Sequence, residues 1–117
     1  MTHRVVALAM LLMAGVVAPA HAQAAPLDRE ELTRYARAYV ALDAARAAFH
    51  AKIAGIHDDL GLARARAELE AEVARIYEEH AITSERYGEI TLLISRDEAV
   101  RADFEEIVSR LRATVAR

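Results

Sequence analysis

Across residues 27–56 the large apolar side chains recur every three or four positions: Leu32, Tyr35, Tyr39, Leu42, Phe49, Ile53 and Ile56, with Arg46 as the one interruption. On a helix with 3.6 residues per turn, that spacing draws a single stripe down one side. The start is marked as well. Asp28 can accept from free backbone N–H groups, Glu31 can reach back three residues, and Leu27 can clip onto Leu32. A helix this long cannot cover its own stripe, so the rest of the chain must supply partners for it.

Residues 1–22 read as an address rather than as part of the fold. Arg4 gives a positive start, residues 5–18 form an uncharged apolar run, Pro19 breaks it, and Ala20-His21-Ala22 is a small-x-small cleavage site. A membrane anchor is the competing reading, but the run is fourteen residues and a spanning helix needs about 20. The expectation is a cleaved secretory signal peptide, a flexible lead over residues 23–27 and one domain over residues 28–117. Export to the periplasm or beyond follows, with no stable membrane anchor after cleavage. The chain has no cysteine, which excludes lipoprotein attachment, disulfides, thiol catalysis and thiolate metal sites.

Removing the signal takes away Arg4 and all three methionines, and the formal charge moves from -3 to -4. A mildly acidic exported chain has no electrostatic case for nucleic-acid binding, which depends on neutralising many phosphates. The 55% hydrophobic content overstates the core, because the signal and a large share of alanine inflate it. Alanine favours helix but buries little area. The large apolar residues that remain leave a lone monomer marginal, which favours self-association.

After Pro26 no proline stands in the way of helix. Gly55 and His57-Asp58-Asp59 signal the end of the first helix, over about 28–57, and an aspartate there can cap the second, over about 60–80. Leu62, Ala65, Leu69, Val73, Ile76 and His80 share one face of the second helix. A short connection favours an antiparallel hairpin. The first helix has net +3 between Leu32 and Ile56, and the second has net -2 between Leu62 and His80. Thr83 caps a shorter third helix, over about 83–94, with Ile82 stapled to Tyr87. Its run of five from Ile90 has strand propensity but no strand partner. Either Ser95 with Glu98 or Asp97 alone caps the fourth helix, over about 97–113. The fold class is therefore all-α: a small antiparallel bundle of two long helices and two shorter ones.

Three blocks then carry a resemblance: Leu32-Thr33-Arg34-Tyr35-Ala36-Arg37-Ala38-Tyr39, Ile82-Thr83-Ser84-Glu85-Arg86-Tyr87, and Asp97 leading into an apolar-periodic last helix. Together they resemble the exported bacterial helical family catalogued as domain of unknown function 4168, over about residues 28–112. Two positions depart from the pattern: Ala81 stands where a helix-ending glycine is expected, and Gly88 where asparagine is expected. The resemblance implies a helical fold and export, and brings no catalytic residues with it.

The chemistry-bearing residues favour plain structural roles. His57, Asp58 and Asp59 put nitrogen and oxygen ligands together for a divalent metal. They lack the pairs of ligands three or four residues apart that helical metal sites use, and a capped helix end accounts for them. Glu68, Glu70, Glu72, Glu78 and Glu79 sit among arginines, as on a solvated face, whereas catalytic carboxylates need burial. Ser84, Ser95 and Ser109 have no Gly-rich elbow around them. No enzyme and no cofactor are expected. Tyr35, Tyr39 and Tyr77, with Arg46 in the seam, read either as a core layer whose hydroxyls reach the surface or as an aromatic groove for a partner or ligand.

The leading expectation is an exported, non-enzymatic helical protein acting through protein–protein contact or self-association. A small-ligand or divalent-metal binding module is the alternative, and a periplasmic stress chaperone a further one.

Overall fold

A computed structural model describes residues 26–117, so the expected signal peptide and most of the lead lie outside the described residues. Four helices follow in order: α1 (Arg29–Ile53), α2 (Asp59–Glu79), α3 (Ser84–Arg96) and α4 (Glu98–Val115). No strand occurs among the described residues, and the Ile90 run lies inside α3. The fold is the expected all-α bundle. Helix α1 is its organising element, packing against each of the other three.

Each helix starts where a short polar side chain can take the first free N–H groups. Asp28 accepts from Glu31 N at 2.7 Å, Asp58 from Gly61 N at 2.7 Å, and Thr83 from Arg86 N at 3.1 Å. Leu27 packs against the core to which Leu32 belongs. Helix α1 stops earlier than the spacing of Ile53 and Ile56 predicts. The chain needs residues 54–58 to turn, and Asp58 must be extended (φ -117°, ψ 148°) to cap α2.

Between α3 and α4 a single residue, Asp97, stands outside helix. Its N–H closes α3 on Leu93 O at 2.8 Å, while its Oδ1 accepts from Ala99 N and Val100 N. Of the two caps open to α4, Asp97 is the one used; the Ser95 hydroxyl donates to Leu92 O instead. Arg101 reaches back from α4 to the last carbonyls of α3, at Ile94 and Ser95. These bonds hold the corner in one geometry.

The core fills the half of the molecule where all four helices meet. Leu42, Ile76 and Ile90 are fully buried there, with Leu32, Tyr35, Ile107 and Val108 around them. Along α1 and α2 this core ends at Ala45 and Val73. An ion pair between Arg112 and Asp43 marks where the end of α4 meets the middle of α1. Farther out, α1 and α2 continue together as a two-helix arm, with Phe49, Ile53, Ile56, Leu62 and Leu69 only half-buried.

Candidate functional site

The tyrosines come together in the core rather than around an opening. Tyr35 is 3% exposed. Its ring stacks on Tyr87 with centroids 4.4 Å apart and meets the edge of Phe104 at 5.6 Å. Tyr39 also meets Phe104, at 5.1 Å, and Tyr77 lies 5.4 Å from Tyr87. Such offset and edge contacts add about 0.5–1.5 kcal/mol each beyond area burial. The Tyr35 hydroxyl shares a 2.8 Å hydrogen bond with Thr91 Oγ1, which itself donates to Tyr87 O.

Burial pushes the Tyr87 phenol well above its usual range, and the neighbouring Tyr35 adds to the effect. Arg46 is exposed on the arm side of this layer, and its charge opposes the shift. Tyr87 and Phe104 join the three rings expected there; along the chain they stand on the apolar faces of α3 and α4, and nothing in their spacing says that those faces meet Tyr35. Only the packing of those helices against α1 brings them in.

His57, Asp58 and Asp59 form an exposed corner between α1 and α2. The Asp58 carboxylate is committed to capping Gly61 N. Among the described residues no three His, Asp or Glu side chains converge as a metal would require. Glu68, Glu72 and Glu79 of α2 engage neighbouring cations on the surface. Arg75 bonds both Glu72 and Glu79, and Lys52 of α1 pairs with Glu68. Hydrogen bonds from Arg75 hold the Glu72 carboxyl below the ordinary range.

The open site lies in the arm, where α1 and α2 do not close over their shared seam. A cleft of about 240 Å³ runs between them, floored by Ala45, Ala48, Phe49, Ala65 and Leu69. Lys52 stands on its α1 wall, and Glu68 and Glu72 on its α2 wall. Alanine is the reason for the gap. At 45, 48 and 65 the side chains are too short to fill the space that Phe49 and Leu69 hold open. Past the tip of the arm, Leu60 is 68% exposed. A second hollow, at Arg110, Ala113, Thr114 and Arg117, is built from the end of α4 alone.

Fold and site together define a small all-α bundle carrying an apolar cleft between its two longest helices. The chain belongs to the family described as Domain of unknown function (DUF4168), which matches residues 28–103. That match takes in α1, α2, α3 and the first turns of α4. No curated protein matches the chain, and no solved structure does. No helix among the described residues is long and apolar enough to cross a membrane.

Proposed function

We propose that the protein is an exported, non-enzymatic helical module that acts by protein–protein contact or self-association through the open face of the α1–α2 arm. The observation that carries this reading is the position of the cleft. It sits beyond the four-helix core, on the part of the molecule with the fewest partners of its own. Its floor is apolar and its walls are charged, the layout of a contact surface with an apolar centre and a polar rim. Asp58 of the expected metal corner is engaged as a cap, and Glu68, Glu72 and Glu79 of the α2 face in surface ion pairs, which favours packing as the chemistry of this face.

Export is tested by the N-terminal sequence of the protein recovered from cells, expected to begin at Gln23. Contact is tested by placing a photo-crosslinking amino acid at Ala48, inside the cleft, and irradiating the cells. Covalent adducts are expected from position 48 and none from Ser109, an exposed residue on α4 away from the arm. The absence of adducts from position 48 removes the reading.

A small-ligand module stands second, on the strength of the same cleft. At about 240 Å³ it falls just short of the about 300–1,000 Å³ of ordinary ligand sites and is open along its length, which favours a helix over a small molecule. A rise in melting temperature with a small apolar ligand, lost in Leu69→Arg, would reverse that order.

A further inference from the structure

Burial along the α1–α2 hairpin falls in one step. Leu42 and Ile76 are fully buried, and just beyond them Ala45 and Val73 are the last side chains of the hairpin to pack against the four-helix core. Between Arg46 and Glu72 one side chain is buried, Ala65, and it is not part of that core. Helix α2 is held chiefly by α1, and the Arg112–Asp43 pair ties α4 to α1 only at the base of the arm. Among the described residues, Lys52 with Glu68 is the one ion pair between α1 and α2, and both side chains are more than half exposed. Pairs of that kind contribute little and are screened by salt.

A segment with few buried apolar groups opens more readily than the packed core it adjoins. The alanines of the arm favour helix locally. Stretches this short still need packing, since isolated helices under about 12–15 residues are marginal in water.

We infer that residues 46–72 form a separate cooperative unit, which opens and closes while the four-helix core stays folded. Closed, the arm presents the cleft of about 240 Å³. Opened, it exposes the apolar seam on both sides, Phe49 and Ile53 from α1 and Leu62, Ala65 and Leu69 from α2. Opening stops at Leu42 and Ile76, where the side chains are locked among all four helices. It needs no partner at the cleft, so it is tested apart from the contact reading.

Hydrogen exchange of the chain as recovered from cells, read peptide by peptide at rising urea below the unfolding transition, tests the arm directly. Helical amides over 47–53 and 63–72 are expected to exchange together, at least about tenfold faster than those over 35–42 and 104–108. Their rates should depend only weakly on urea, because little surface is exposed, while the core rates climb steeply. One rate and one urea dependence for both sets overturns the inference, and so does fast exchange confined to the last turn of α1.

A core substitution supplies the second check. Ile107→Val on α4 should speed exchange of the core amides by about fivefold. It should leave the arm unchanged, because the opened arm still contains the intact core and both states carry the same loss. Arm amides that speed up in step with the core would show that the arm opens only when the whole chain unfolds, and would overturn the inference.

Discussion

Arg86 lays its guanidinium along the carboxylate of Glu31, with Nε at 2.9 Å and Nη2 at 2.5 Å. The two side chains are only 15% and 19% exposed, and 55 residues separate them in the chain. The pair ties the first turn of α1 to the first turn of α3. Arg86 also donates to Glu89 at 2.8 Å, so it is held from both sides. A planar fork meeting a carboxylate in this way fixes an angle between helices as well as a distance.

Glu31→Gln should cost about 1–2 kcal/mol at neutral pH, because it exchanges the two-pronged carboxylate partner of the guanidinium for a neutral amide. The hydrogen bonds from Arg86 hold the Glu31 carboxyl below its ordinary 4.5. The folded state therefore binds fewer protons than the unfolded chain there, so this stability is present above about pH 4.5 and lost as pH falls further. Melting curves of the two proteins should converge on acidification. A gap that stays constant down to pH 2 would show that the pair contributes packing rather than charge.

Two glycines should respond in opposite directions to alanine. A Cβ on Gly61 would lie 2.8 Å from Asp58 Oδ1 and 2.8 Å from Ile56 Cγ2, and the aspartate is pinned as the cap of α2. Gly61→Ala should lose the cap, worth about 1 kcal/mol, despite the better helix propensity of alanine. A Cβ on Gly88 meets nothing within 4 Å, so Gly88→Ala should stabilise by about 1 kcal/mol. Urea midpoints of the two variants check the signs.

Ala81→Gly should also stabilise. Ala81 has φ 49°, in the left-handed region that disfavours a Cβ. The bonds Ile82 N to Tyr77 O and Ala81 N to Glu78 O, each 3.1 Å, close α2 in the motif that usually carries glycine at this position. Relief of about 1–2 kcal/mol is partly offset by the extra freedom of glycine in the unfolded chain, leaving about 0.5–1 kcal/mol. A melting temperature unchanged or lowered would mean that the turn is held by other contacts.

Tyr87 should make the protein sensitive to alkali. Its folded value lies above the ordinary 10.0, so the folded state keeps a proton that the unfolded chain gives up. That stability is intact below about pH 10 and is lost as pH rises beyond it. Phenolate absorbance during titration should show part of the tyrosine signal delayed and appearing together with loss of helix. Tyr87→Phe should remove the delay.

What the chain order alone determined is local. Asp28, Thr83 and Asp97 cap helices by accepting from N–H groups two or three residues ahead, a range within which sequence spacing settles geometry. The stripe from Leu32 to Leu42 required helical partners for the same reason, and the family resemblance marked Ala81 as standing where a helix-ending glycine is expected. The chain order also left two caps open for α4, and the folded corner chose between them: Asp97 alone can close α3 and open α4 at once.

Tertiary structure decided everything that depends on how one helix is rotated against another. It brought Arg86 to Glu31, set Tyr35 between Tyr87 and Phe104, and drew Tyr39 and Tyr77 into that packed layer. It ended the core at Ala45 and Val73 and so left the cleft in the arm, with Arg46 exposed beyond the rings. Helix azimuth and crossing are set by the summed packing of many side chains, and no short-range pattern along the chain encodes them.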